Sequence, residues 1–566
     1  MFENVLQKKY NWRFFLVFFI FLFCLNLVFY AINLNDFFLS DDFDWLYLTK
    51  TQSYPLSHYF SSNYFGEQGL GGAYRPMVNV LFFLNYKIGG LNPLPYHLTS
   101  ILFHTGVCFL IFFIAKEIFF EDPKKEKIGI LSAIFFAVLP NHSEAVIWIS
   151  AMADPFASFF YLLSFYLYMV FRREKKFFFI LFSFFCFILS LLAKEIAVTL
   201  PVLILAYELY LNYRDKKFDL KKIIVNNFIY WILLALYFAI RFFSIKVFFG
   251  YYAEKNIDVS WQKLGKAYEM FVSLFSNLLL YEKWRVLATD FFIGQKIIFA
   301  IIFAVIFLLL AYKKETRDKI VFLFIAYFIL IIPVLFLNYN HFNDEGERYN
   351  YLPSFAFCLL LGLVLAYSKK IITIPLFIFL IIYFSWFLWD KNLNWNKSAE
   401  ISSQMILQDF PKAVDLNKSN ETIIFIGMPD TFEGVPLFRN AIVLAVKIYY
   451  PKYIFSGENL NAYVRLNENN YNKNILQWQP YAQDRPEVFL AKETDNNFSV
   501  TGFGTKETKD YRFELWNYDY LNYSADTIAL TLKGDFWQAY NEGKLNVMIF
   551  DGGKLEKLKN SNTNLQ

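Results

Sequence analysis

The sequence is poor in the residues that staple or punctuate a soluble domain. Among 566 residues there are four cysteines, 22 glycines and 17 prolines, and only 18% are charged. Cys24, Cys108, Cys186 and Cys358 all fall inside apolar runs, which excludes a disulfide framework and a CxxC metal motif and leaves the redox compartment open. There is no low-complexity tract and no repeat at the 34-residue helical-pair period. A cleavable leader is missing too. Met1 to Arg13 is short and basic, but the apolar run after it extends from Phe14 to about Leu34, too long for a signal-peptide core and without a small-residue cleavage site. It reads as a retained first span.

What is there is apolar and aromatic. Hydrophobic residues make up 57% of the chain and aromatic ones 22%, with 71 phenylalanines and a mean hydropathy of +0.34, beyond what a soluble domain keeps in solution. The chain is expected to be a polytopic α-helical membrane protein. Apolar runs long enough to cross a bilayer fall at about 14–34, 98–115, 128–149, 154–171, 177–193, 196–213, 223–243, 296–312, 320–337, 351–368 and 371–388, about eleven transmembrane helices. The alternate connections that would face the cytoplasm hold 22 Lys and Arg in 48 residues, against 11 in 144 for the others, a bias of about sixfold. Because basic residues are retained inside, the N-terminus is expected in the cytoplasm and everything after Trp389 outside. A short apolar stretch, Met270 to Tyr281, reads as an interfacial helix rather than a span.

From Trp389 the composition becomes that of a soluble domain. A strand is expected over Thr422–Gly427, leading through Met428-Pro429-Asp430 into a helix over Leu437–Tyr449, with further strands at 511–516, 527–532 and 545–550. The expected division is therefore 1–388, a transmembrane domain, and 389–566, a small extracytoplasmic α/β domain.

The stretch Leu39-Ser40-Asp41-Asp42-Phe43-Asp44-Trp45 sets three carboxylates just past the first span. Acidic groups there either cap a helix in contact with solvent or serve a site that handles protons or developing positive charge. Other polar residues collect on the same predicted face. Arg75, in Tyr74-Arg75-Pro76, is a fixed cation suited to a phosphate oxygen pair; His97 and His104 share a helix face but lack a third metal ligand. In Pro140-Asn141-His142-Ser143-Glu144, the His142 and Glu144 side chains could orient a hydroxyl, hold a metal or cap the break. Asp154 before Pro155 reads as an N-cap. Lys194 and Glu195 sit side by side in a very short turn, either cancelling each other or leaving Lys194 as a phosphate ligand. Arg348, with His341, Asp344 and Glu345 upstream, opens span ten. Three cations opposite three carboxylates suggest an anionic headgroup at the interface.

Taken together these stretches resemble the multi-span glycosyltransferases of the GT-C class, most closely the membrane half of the transmembrane-and-TPR O-mannosyltransferases. The resemblance rests on Asp41-Asp42, YRP at 74–76, LNY at 84–86, YH at 96–97, PNHSEAV at 140–146, AKE at 193–195 and ERYNYLPS at 347–354. It departs from the family at Leu139, where His commonly precedes the proline, and after Trp389, where those enzymes carry a TPR array. The resemblance implies inverting transfer of a sugar, possibly mannose, from a polyprenyl-phosphate carrier to an acceptor hydroxyl outside the cytoplasm. It makes Asp41 the catalytic base and Asp42 its neighbour, and it implies substrate-binding roles for Arg75, His97, His142, Glu144, Lys194, Glu195 and Arg348. A carboxylate can take the acceptor's proton, and fixed cations can stabilise the leaving phosphate, so no metal and no cofactor are expected. The expected partners are the lipid-linked donor, the bilayer of a bacterial-type inner or plasma membrane, and a protein, lipid or glycan acceptor, with no nucleic acid. A transporter would show inverted repeats and spans broken near the midplane, whereas here the ionisable residues crowd one face. A scaffold would leave the acidic pair without a purpose.

Overall fold

The structure is a computed structural model. It describes residues 12–51, 54–63, 72–216, 219–247, 261–312, 314–335, 337, 346–417, 421–426, 431–438 and 441–453, with strand segments between 455 and 557. His341, Asp344, Glu345 and the turn Met428-Pro429-Asp430 lie outside the described residues. The chain divides into two compact units, Met1–Asn35 with Tyr54–Leu393, and Asp36–Ser53 with Asn394–Gln566.

The first unit is helical, and a helix occupies each of its apolar runs. Six described helices are long and apolar enough to cross a membrane: Trp12–Phe29, Leu94–Ile118, Ile149–Glu174, Glu195–Arg214, Ile223–Ile245 and Lys370–Ala413. Two more qualify only as bent pairs, Lys125–Val138 with Pro140–Ile147 at 61°, and Trp284–Gly294 with Lys296–Leu310 at 108°. Phe177–Leu191 and Ser354–Tyr367 are apolar but shorter, and Lys314–Ile331 has five charged residues among its first six. Helices with apolar side chains as exposed as Ile297, Leu309 and Ile371 need a lipid solvent, and the chain is an integral membrane protein.

The break in the third run follows from Pro140. Leu139, the residue before it, is held extended at φ −70°, ψ 124°, as the proline ring requires, so Lys125–Val138 ends and the chain re-enters as a 3₁₀ turn, Pro140–His142, and a short helix, Ser143–Ile147. The core forms where Leu94–Ile118 packs on Trp12–Phe29, Lys125–Val138 and Ala153–Glu174, and where Lys125–Val138 packs on Ser354–Tyr367. In that last contact Gly362 lies so close that a Cβ there would stand 2.2 Å from Ser132 Oγ and 2.8 Å from the Ile128 carbonyl oxygen. The expected interfacial helix is part of a longer amphipathic one, Trp261–Asn277, which ends before Tyr281.

The second unit contains the acidic stretch. Asp42–Thr51 is a helix packed on the helix Ile442–Tyr449, with Phe37 against Tyr449 and Phe43 stacked on Phe438. Glu421–Ile426 pairs in parallel with both Phe455–Leu460 and Leu545–Asp551, and Lys554–Lys557 folds back antiparallel on the latter. The helix Ile442–Tyr449 lies between the first two of these strands in sequence and buries Ile442, Ala445, Val446 and Ile448. Two further four-stranded sheets are antiparallel.

Candidate functional site

Arg75 is excluded from the helix it precedes because Pro76 starts that helix and disfavours helical geometry in the residue before it. Its guanidinium turns instead to Glu195, with Nε 3.0 Å and Nη2 2.8 Å from Oε2. The other oxygen of Glu195 lies 3.4 Å from Nη1 of Arg241, so one carboxylate ties two arginines.

Lys194 and Glu195 do not cancel each other. Lys194 is extended, at φ −156° and ψ 142°, and in extended backbone successive side chains diverge. Lys194 reaches Asp154, with Nζ 2.5 Å from Oδ1. This corrects the expected role of Asp154 as an N-cap: it is the second residue of the helix Ala153–Glu174, whose cap position is Met152 and makes no side-chain cap bond. Burial lowers the pKa of Lys194; Asp154 opposes that shift, while the positive charges of Arg348 and Arg75 add to it. Lys194 thus feels the charges of both Arg75 and Arg348.

Arg348 is placed by Glu144. The buried Glu144 carboxylate accepts the backbone N–H of Gly346, 3.1 Å from each oxygen, and that of Arg348 at 2.8 Å, and it pairs with the Arg348 guanidinium. Gly346 adopts φ +94°, a conformation that favours glycine, and this lets the two amides point at one carboxylate. The guanidinium also lies over Trp148 at 4.7 Å and Tyr349 at 5.3 Å.

His142 is fully engaged inside the protein, with Nδ1 2.9 Å from the Phe136 carbonyl oxygen and Nε2 2.9 Å from Ser354 Oγ. These contacts fix the turn that carries Glu144 rather than leave the ring open to a ligand. His97 is buried in the first turn of Leu94–Ile118, and His104 on the same helix lies 2.7 Å through Nδ1 from the Tyr351 hydroxyl. Among the described residues no group of three or more His, Cys, Asp or Glu side chains is arranged to hold a metal ion.

In the second unit the acidic stretch begins at a strained residue. Ser40 has φ +46°, costly for a side chain other than glycine, and its N–H is held by the Leu437 carbonyl at 2.5 Å. Asp42 is buried, and its Oδ2 accepts the Leu39 N–H at 2.9 Å. Asp41 is part-exposed, and its Oδ1 accepts from Ser40 Oγ at 3.2 Å. Asp44 is pushed up to about 8, by burial first and then by the charges of Asp41 and Asp42.

Sequence reasoning missed Arg241, Asp154 as a counter-ion, and Trp148. Arg241 carried a legible signal, since an ionisable residue inside an apolar run is a candidate for function by default.

Arg75 and Arg241 thus meet on one carboxylate, and Lys194 feels the charges of Arg75 and Arg348. No family model matches the chain. By sequence it is similar to protein O-mannosyl-transferases: 32% identical to mouse TMTC2 over 171 residues, 29% of this chain and 20% of that protein; 30% to Drosophila melanogaster Tmtc1 over 154 residues, 26% and 17%; and 32% to human TMTC3 over 120 residues, 20% and 13%. The matched stretch thus spans about a fifth or less of the length of those relatives. Crystal structures of ArnT from Cupriavidus metallidurans align over 77% of this chain and 89% of theirs, at TM-scores of 0.43 in the apo state and 0.40 bound to undecaprenyl phosphate, with 9% and 11% identity.

Proposed function

We propose that the chain is a GT-C-type inverting glycosyltransferase that moves a sugar from a polyprenyl-phosphate carrier to an acceptor hydroxyl outside the cytoplasm. The observation that carries this reading is the set of ion pairs that holds Arg75, Lys194 and Arg348, with the charges of the two arginines reaching Lys194, in a chain similar to protein O-mannosyl-transferases. An anionic headgroup is the ligand such a cluster favours. Each cation is held by its own carboxylate, Glu195, Asp154 or Glu144, and is therefore positioned before the ligand arrives, which is what stabilising a developing charge requires.

In the reaction the acceptor oxygen attacks the anomeric carbon, its proton passes to Asp41, and the bond from that carbon to the phosphate oxygen breaks. The phosphate leaves with the electron pair. Asp41 is the better base of the pair because Asp42 is buried and tied to the Leu39 amide, which suits it to orient its neighbour. His142 and Glu144 act as positioning residues. The sugar is mannose in this reading, the acceptor a protein hydroxyl, and the chain after Trp389 extracytoplasmic.

The test is to incubate the purified protein with radiolabelled polyprenyl-phosphate sugars and membrane extract. Label in protein from the mannosyl donor supports the reading in full. Label in lipid or glycan moves the acceptor, and the absence of transfer from every donor overturns the reading.

A further inference from the structure

Arg241 is the cation for which the sequence offered no role. It lies near the end of the helix Leu220–Ile245, and its side chain is 2% exposed. Its one ion pair, to Glu195, runs through Nη1 at 3.4 Å, and Glu195 is already bound twice by Arg75 at 3.0 and 2.8 Å. The remaining donors, Nε and Nη2, are buried and meet no acceptor. One turn earlier, the buried Tyr237 hydroxyl leans toward this guanidinium, close enough to interact with it but short of full hydrogen-bond geometry. Buried polar groups are nearly always paired, and leaving a charged donor unpaired is among the more costly arrangements a fold can hold.

A planar guanidinium presenting two adjacent N–H groups fits a pair of phosphate oxygens, and a phosphodiester linking a sugar to a lipid carries a single negative charge.

We propose that Arg241, assisted by the Tyr237 hydroxyl, is a direct ligand of the donor's phosphate oxygens, with Glu195 as the tether that holds Arg241 and Arg75 side by side. This rests on the donor class assigned under Proposed function. Arg75, whose Nε and Nη2 both donate to Glu195 Oε2, is then the inner brace of the pair, and Arg241 the group that meets the anion.

The test uses the full chain in lipid nanodiscs and a sugar-free polyprenyl monophosphate as the probe, with binding and thermal stability measured together. Arg241→Gln is expected to weaken probe binding by at least about tenfold, the scale of a lost charged hydrogen bond, with little loss of melting temperature, because its 3.4 Å contact is the longer of the ion pairs to Glu195 and Arg75 keeps that carboxylate paired. Tyr237→Phe, which keeps the ring, is expected to weaken binding a few-fold and serves on its own if Arg241→Gln fails to fold. Binding unchanged in Arg241→Gln, or in Tyr237→Phe where only that variant folds, overturns the assignment while leaving the donor class standing. Failure of the wild-type chain to bind the probe overturns both.

Discussion

At the scale of single residues the acidic stretch makes the sharpest demands. Asp41 is the expected base, so Asp41→Asn keeps the size of the side chain but cannot accept the acceptor's proton. Turnover should fall roughly 10²-fold or more, with donor binding unchanged. Asp42→Asn should cost less, because Asp42 is held by the Leu39 amide and acts through its neighbour. Full activity in Asp41→Asn would reduce the stretch to a helix start, although no side-chain bond from Asp41 to a helix amide is present to support that role. Asp44 adds a pH signature. Its folded pKa is about 8 against 3.8 for the free group, so the folded chain binds that proton more tightly than the unfolded chain does. The sign is therefore destabilising as pH rises: no penalty below about 4, growing through 8 and constant above it. Asn mimics the protonated acid, so Asp44→Asn and wild type should melt alike at about pH 3, below both pKa values, with the variant the more stable at about pH 9. Parallel melting curves at both pH values would show that Asp44 is not titrating there.

At the scale of elements, much of the site is second-hand geometry, in which a helix or turn is held so that a cation can be. Glu144 receives two backbone amides and a guanidinium, so Glu144→Gln should loosen the turn Glu347–Asn350 and weaken donor binding through Arg348. Arg348→Ala, Lys194→Ala and Arg75→Ala should each weaken it by roughly tenfold or more, and Arg348→Lys should also be impaired because an ammonium cannot lie flat over Trp148 and Tyr349 as the guanidinium does. Unchanged donor affinity across that series would return these residues to a purely structural part. Helix contacts can be tested separately. A Cβ on Gly362 would stand 2.2 Å from Ser132 Oγ, so Gly362→Ala should destabilise by about 1–3 kcal/mol through overpacking. Ser132→Ala should recover only part of this, since the Ile128 carbonyl oxygen, 2.8 Å from the same point, stays.

At the scale of the whole molecule, what the sequence made legible was what periodicity and short motifs encode. Helices lie where the apolar runs are, Pro140 breaks the third run, and strands lie at Glu421–Ile426, Tyr511–Phe513, Thr527–Thr531 and Leu545–Asp551 near their expected places. Partner choice was not legible, because it depends on contacts between residues far apart in the chain: Lys194 pairs with Asp154 rather than its neighbour, and Arg241 meets a carboxylate 46 positions away. Nor was the grouping of the acidic stretch, which the boundary at 389 assigned to the membrane half but which forms a compact unit with the chain from Asn394 on; Phe37, Phe43 and Lys50 find partners at Tyr449, Phe438 and Ile448, contacts that no local pattern announces. That grouping sharpens the topology. Asp36–Ser53 and Asn394–Gln566 belong to one compact unit, so the proposed topology keeps both on one side of the membrane, and the basic bias of 22 in 48 against 11 in 144 predicts that side to be outside. A reporter enzyme active only in the cytoplasm should therefore be silent when fused after Gln566. A cysteine placed at exposed Thr51 should react with a membrane-impermeant maleimide added to intact cells. Strong reporter activity together with a protected Thr51→Cys would invert the whole chain and move the acidic stretch to the cytoplasm. Reporter activity with a labelled Thr51→Cys would break the shared unit instead, because its two segments would then lie on opposite sides of the bilayer.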